Sequence, residues 1–209
     1  GVPYSDPVMD GLVTQKATEK APENGFRLSQ AFDVISGVRK QVETPMLVMS
    51  YYNPVLRFGI EKFAKELKES GAQGMITPDL IPDEASKWLD SADEHDLDRV
   101  FLVAPSSSDD RVSANTLASR GFVYSVSTMG ITGERAEVDK LAREVAGRVK
   151  SIGSTPTCVG VGVSTGDQVR DVNTYADGAI VGTALIAAYE SSGLDGLIAK
   201  TRELASGLG

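Results

Sequence analysis

The chain has 209 residues, 41% hydrophobic and 24% charged, enough for one soluble domain with a sizeable core. Its formal net charge of −8 argues against a nucleic-acid surface, which needs clustered Lys and Arg, and no apolar run reaches the length of a membrane span. The single cysteine, Cys158, excludes an internal disulfide and suits a reducing cytoplasm, and one His and one Cys leave no ligand spacing for a metal.

Residues 1–11 (GVPYSDPVMDG) read as a loop that gathers Asp6, Asp10, Pro3 and Pro7, and would follow a strand ending just before Gly1. Because the chain opens on Gly1-Val2-Pro3 rather than Met, it reads as incomplete at its start. Leu28, Phe32, Ile35 and Val38 fall at helical spacing, and residues 46–50 (MLVMS) form the first strand. A helix carrying Ile60, Phe63, Ala64 and Leu67 leads to a strand at 74–77 (GMIT), and a helix with Ala85, Trp88, Leu89 and Ala92 leads to a strand at 100–104 (VFLVA). His95 sits in a polar helix end and reads as solvated. Residues 106–110 (SSSDD) read as a loop and helix cap. A strand at 122–127 (FVYSVS) precedes a helix with Val138, Leu141, Ala142, Val145 and Val149. The last strands are 157–161 (TCVGV), where Cys158 reads as a small buried hydrophobe, and 178–181 (GAIV).

Near-continuous apolar strands alternating with amphipathic helices predict a parallel sheet with helices outside. The fold class expected is α/β, a (β/α)₈ TIM barrel with six of its eight strands recognisable. It would form a single domain over residues 1–209, short of roughly two N-terminal β/α units against the usual barrel length of about 250 residues. An open doubly wound sheet is the alternative.

Three glycine-containing turns follow the late strands: Gly130-Ile131-Thr132-Gly133, then Gly160-Val161-Gly162-Val163-Ser164, then Gly182-Thr183. At each, backbone N–H groups are expected to be free at a helix start, where the helix dipole favours an anion. Glycines end strands in any α/β protein, but barrels often bind phosphate with their last two loops, and Gly162, Gly182 and Thr183 occupy those places. In the first loop, Asp6 or Asp10 could serve as a proton-transfer group at the active face of a barrel, or could form a turn or cap. Tyr51 and Tyr124, taken alone, read equally as core residues of strands.

Pro3-Tyr4-Ser5-Asp6-Pro7-Val8-Met9-Asp10-Gly11 resembles the PFSDPxADGP signature of tryptophan synthase α subunits. The likeness continues in order and spacing through Ser50-Tyr51-Tyr52-Asn53-Pro54, Thr77-Pro78-Asp79-Leu80-Ile81-Pro82, Ser127-Thr128-Met129-Gly130-Ile131-Thr132-Gly133, Gly160-Val161-Gly162-Val163-Ser164 and Asp177-Gly178-Ala179-Ile180-Val181-Gly182-Thr183. The resemblance implies a lyase that splits indole-3-glycerol phosphate into indole and glyceraldehyde 3-phosphate in tryptophan biosynthesis. It assigns Asp10 to the indole N–H, Tyr124 to a place beside the catalytic acid, and Tyr51 and Ile180 to the indole ring. Thr132 would close over the substrate and bond Asp10, while Gly133, Gly162, Gly182 and Thr183 would cradle phosphate. Asp6, Asp79 and Pro82 would face a β subunit in an αββα heterotetramer; for Asp79 and Pro82, helix entry is the other reading. The α chain itself is expected to use no cofactor and no metal, pyridoxal phosphate belonging to the β subunit. The family's other catalytic group, a glutamate, would stand two residues ahead of Gly1. Val161 stands where the family often has Phe, Met9 and Leu12 replace a common Ala and Pro, and Thr183 replaces a common Ser.

Two other readings remain on sequence alone: another sugar-phosphate-binding barrel enzyme, such as an isomerase or aldolase, and a non-catalytic fragment or partner-activating module. A Schiff-base aldolase would need a strand-borne lysine, which the six strand candidates lack, and a metal-dependent epimerase would want His at strand ends. A chain that truly began at Gly1 would be a non-catalytic fragment or a module that only activates its partner.

Overall fold

The computed structural model describes residues 1–6, 10–126, 135–160 and 162–209, and of residues 135–138 the backbone alone. Two helices, α1 (Leu12–Glu23) and α2 (Leu28–Arg39), precede β1 (Leu47–Met49). Then come α3 (Tyr52–Phe58), α4 (Ile60–Glu69), β2 (Gly74–Ile76), a 3₁₀ turn Pro82–Glu84, α5 (Ser86–Glu94), β3 (Asp98–Val100) and β4 (Leu102–Val103). The chain continues through α6 (Asp109–Ala118), β5 (Val123–Val126), α7 (Arg135–Lys150), β6 (Thr157–Gly160), α8 (Gly166–Val172), β7 (Gly178–Ala179) and α9 (Thr183–Ala205). All paired strands are parallel, in the orders β1-β2-β3 and β4-β5-β6-β7, so each crossover carries helix between strands, as the alternating pattern predicts.

Contacts divide the chain into two compact units. The first holds Gln15–Phe101, Ala118–Gly121 and the described part of Gly1–Val8. Its core is aromatic: Phe63 and Trp88 are fully buried, and the rings of Phe32, Phe58, Phe63 and Trp88 meet at tilted or edge-on angles. The stripe expected on α4 is realised, with Phe63, Ala64 and Leu67 all inside. On α2 only Phe32 and Ile35 are buried, whereas Val38 is 40% exposed. At 3.6 residues per turn Val38 sits roughly 80–120° round from Leu28 and Phe32, outside the inward stripe.

The strand expected at 100–104 is instead broken at Phe101. Its segment Asp98–Val100 pairs with β2, and Leu102–Val103 pairs with β5. Phe101 is fully buried, and its N–H donates to Ser119 Oγ at 3.2 Å. A side-chain acceptor thus replaces a ladder partner where the chain leaves one sheet for the other.

The second unit holds Leu102–Leu117, Phe122–Gly209 and the described part of Met9–Thr14. Strand alternation sorts its side chains. Val123 and Val159 pack beneath α7 against Val145, Val149, Ala142 and Ala146. On the same face the hydroxyls of Ser125 and Thr157 bond each other at 2.7 Å, which settles two buried polar groups at once. Tyr124, Cys158 and Gly160 therefore point to the opposite face. Cys158 is half-buried there rather than part of the core, because its neighbour across the pairing is Gly178, which has no side chain to cover it. As expected, the serine run ends in a cap, Ser108 Oγ accepting the N–H of Arg111. Among the described residues no helix is long and apolar enough to cross a membrane.

Candidate active site

On the open face of β5 and β6 the Tyr124 ring lies over Gly160. A Cβ placed on Gly160 would come within 2.7 Å of both Cε2 and the hydroxyl oxygen of Tyr124, so only glycine leaves room for the phenol. Burial raises the Tyr124 pKa, and the negative charge of Asp10 raises it further. The phenol is therefore protonated at neutral pH and within electrostatic reach of that carboxylate. Asp10 is half-buried just ahead of α1, and burial raises its own pKa above the ordinary 3.8. A partly buried carboxyl with a raised pKa, whose charge reaches a protonated phenol, suits proton transfer or hydrogen bonding to a partly desolvated ligand. The Cys158 thiol is pushed up by burial and then by Asp177, which keeps it unreactive.

β6 and β7 are adjacent and parallel, so the loops that follow them leave the same edge of the sheet. After β6, Gly162 adopts a left-handed φ of 63°, open to a glycine without strain. Val163 is anchored in the core, and Ser164 and Thr165 lead into α8. The N–H groups of Ser164, Thr165 and Gly166 are not free for an anion, against expectation. Gln168 Oε1 accepts from Ser164 N and Thr165 N, and Glu203 Oε1 accepts from Gly166 N. This is a capping box, in which Thr165 Oγ1 takes the Gln168 N–H in return, and it satisfies the orphan donors of the helix start. After β7, α9 begins differently. Its N-cap Gly182 has no side chain, no side-chain cap bond forms, and Thr183 is exposed in the first turn. No side chain caps that start, although Leu185 N–H bonds Gly182 O, and the helix dipole favours an anion there. Ile180 is half-buried, and its N–H bonds Val159 O at 2.8 Å.

The first unit carries the remaining expected residues. Tyr51 follows β1, is buried, and its ring meets that of Tyr4 at 5.4 Å. Tyr4 also accepts from Asn53 Nδ2 at 2.9 Å. Asp79 has a definite structural role: both its carboxylate oxygens accept the N–H of Tyr52, at 2.9 and 3.1 Å, at the start of α3. Burial of the carboxyl raises its pKa nonetheless, outweighing those bonds, although the residue as a whole is exposed. Pro82 opens the 3₁₀ turn, and Asp6 is exposed and accepts from Ser5 Oγ at 2.9 Å. Thr132 and Gly133 lie outside the described residues.

The second unit thus holds Asp10 and Tyr124 together, and Gly162, Ile180, Gly182 and Thr183 on its strand ends. The sequence points to Gly160 only as part of a glycine turn, not as the floor beneath Tyr124, and does not point to Gln168 or Glu203. The Thr165-x-x-Gln168 spacing of a capping box could have exposed Gln168, while the closeness of Gly160 to Tyr124 has no local signal.

Parallel strands joined by helical crossovers, with a partly buried acid and a phenol in one unit, mark an α/β enzyme class. The profile of the tryptophan synthase alpha chain family matches residues 1–206. The tryptophan synthase alpha chain of Leifsonia xyli is 50% identical over 207 residues, covering 99% of this chain and 79% of that protein. That of Mycobacterium tuberculosis is 49% identical over 208 residues, covering 100% of this chain and 76% of its own. A crystal structure of aminoacrylate-bound M. tuberculosis tryptophan synthase superposes with a TM-score of 0.92 at 45% identity, covering 100% of this chain and 80% of that one. A mutant tryptophan synthase α-subunit from Pyrococcus furiosus gives 0.88 at 33% identity, covering 100% and 84%. The chain belongs to the tryptophan synthase alpha chain family. It has that family's (β/α)₈ fold class and is a lyase of tryptophan biosynthesis, the reaction being the cleavage of indole-3-glycerol phosphate to indole and glyceraldehyde 3-phosphate.

Proposed function

We propose that Asp10 carries this cleavage by holding the indole N–H while Tyr124 fixes the polar surroundings of the reacting ring. Protonation of indole C3 makes the ring nitrogen cationic. Removal of the proton from the adjacent glycerol hydroxyl then forms the aldehyde C=O, and the C–C bond electrons flow into the ring and neutralise it as indole. The resemblance gives the first protonation to the family's glutamate. The Asp10 carboxylate stabilises the charge on nitrogen, an interaction stronger in the transition state than with neutral substrate. The observation that supports this reading is the partly buried Asp10 carboxyl, in the same unit as the Tyr124 ring that lies over Gly160 and close enough for its charge to raise the phenol's pKa.

Gly162, Gly182 and Thr183, with Gly133, are assigned to the phosphate, the α9 start without a side-chain cap being the supporting feature. Ile180 and Tyr51 are assigned to the indole ring, and Thr132 to closure over it. Asp6, Asp79 and Pro82 are assigned to a β-subunit surface, consistent with a solved relative described as a tryptophan synthase complex from Pyrococcus furiosus. In that reading the assembly is αββα in the cytoplasm, pyridoxal phosphate resides in the β subunit, and this chain works without a cofactor. The direct test is indole formation from indole-3-glycerol phosphate by the complete protein with its partner, inhibited by glycerol 3-phosphate. Absence of indole, with no binding of glycerol 3-phosphate, would overturn the assignment.

A further inference from the structure

The segment Gly162–Gly166 is held by three side chains, those of Gln168, Glu203 and Lys200. Gln168 Oε1 collects three donors: Ser164 N at 2.6 Å, Ser164 Oγ at 3.2 Å and Thr165 N at 3.1 Å. Glu203, from the C-terminal half of α9, accepts Gly166 N at 2.7 Å, and that bond is the first cause of its lowered pKa. Lys200 Nζ, one turn earlier on α9, donates to Ser164 O at 3.2 Å and to Glu203 Oε2 at 2.9 Å. Gly162 therefore stands directly before a buried anchor, Val163, and a backbone stretch whose every N–H from 164 to 166 is committed. A glycine with φ of 63° has wide conformational freedom in isolation, and these neighbours remove it.

We infer that Gln168 and Glu203 are positioning residues for the substrate phosphate, fixing the direction of the Gly162 and Val163 N–H groups through the braced loop after β6. They touch no substrate atom. This rests on the phosphate assignment made above. Pre-organised donors bind an anion without first ordering the loop, so the brace acts on affinity for the phosphate rather than on the bond-breaking step.

The test uses the complete protein, with sn-glycerol 3-phosphate as the phosphate probe and indole as the probe for the other half of the site. Gln168→Leu and Glu203→Leu are each expected to weaken glycerol 3-phosphate binding about tenfold, near the loss of one charge-assisted hydrogen bond. KM for indole-3-glycerol phosphate should rise in parallel, with kcat held within about twofold and indole binding unchanged. Glu203→Gln keeps an acceptor for Gly166 N and should restore most of the lost affinity, which a role for the charge alone would not. The inference is overturned if both leucine variants bind glycerol 3-phosphate as tightly as wild type. It is equally overturned if phosphate affinity, indole affinity and kcat fall together, as general loosening of the fold would produce. Wild-type protein that binds no glycerol 3-phosphate would instead remove the phosphate assignment itself, a different result from a bound probe insensitive to Gln168.

Discussion

Replacing Gly160 by alanine places a methyl group 2.7 Å from two atoms of Tyr124, Cε2 and the hydroxyl oxygen. Comfortable separations for such atoms are about 3.5–4.0 Å, so the phenol must retreat by roughly 1 Å. The Gly160 backbone is fixed by the parallel ladder with β5, in which Val126 pairs with Gly160, so the ring moves and the strand stays. The tightness costs about 1–3 kcal/mol of stability, the usual range for overpacking. The displacement moves the Tyr124 hydroxyl from its place over Gly160, and misplacement of about 1 Å near a reacting group is worth up to roughly 100-fold in rate. Steady-state indole release should therefore fall about 10- to 100-fold in kcat for Gly160→Ala, with phosphate-analogue binding retained. Thermal denaturation, monitored alongside, should still show a cooperative transition. In a Tyr124→Leu background the added methyl meets no ring, and Gly160→Ala should cost little more. Full kcat in the single variant, or an undiminished effect after removal of the ring, would refute the steric argument.

Asp177→Ala strips the acceptor from the fully buried Thr157's N–H and the partner from Lys150, and should lower stability by about 1–2 kcal/mol in urea denaturation. The Asp177 carboxyl is held below its usual range, first by that N–H, so its contribution is complete above the unfolded pKa. It disappears as pH falls through the lowered folded value, and wild type and variant should converge in acid. Asp79→Ala should cost about 1 kcal/mol by freeing the N–H of Tyr52 at the start of α3, seen as a lower denaturation midpoint. Because burial raises the Asp10 pKa, the carboxylate is lost at higher pH than an ordinary aspartate, and kcat/KM should fall on acidification from above the usual 3.8.

Much of this architecture was legible because apolar spacing reports burial directly. Phe63, Ala64 and Leu67 on α4, and Ala142, Val145 and Val149 on α7, lie inside as their periodicity requires. Five of the six expected strands are found within their expected bounds, and the sixth, at 100–104, is broken at Phe101; Ser127 and Val161, at the expected ends of two of them, lie outside the described residues. What failed to show locally depends on partners distant in sequence. The break at Phe101 is set by Ser119, the exposure of Val38 by which side of α2 meets the core, and the half-burial of Cys158 by a glycine on the next strand. In the site, Asp10 and Tyr124 could be named from the motifs, but the electrostatic influence of Asp10 on the phenol and the room made by Gly160 depend on residues distant in sequence. The glycine turn after β6 suggested free amides, yet Gln168 and Glu203 claim three of them, one from four residues away and one from α9.

Single-turnover indole release by Asp10→Asn, measured in the complete protein beside its affinity for glycerol 3-phosphate, tests the central claim most directly. The amide keeps the size of the side chain and removes the charge that stabilises the indole nitrogen. Release should be abolished while phosphate binding stays within a few-fold and stability is not reduced, since a partly buried charge is removed. Release at the wild-type rate would contradict the claim and take Asp10 out of the mechanism.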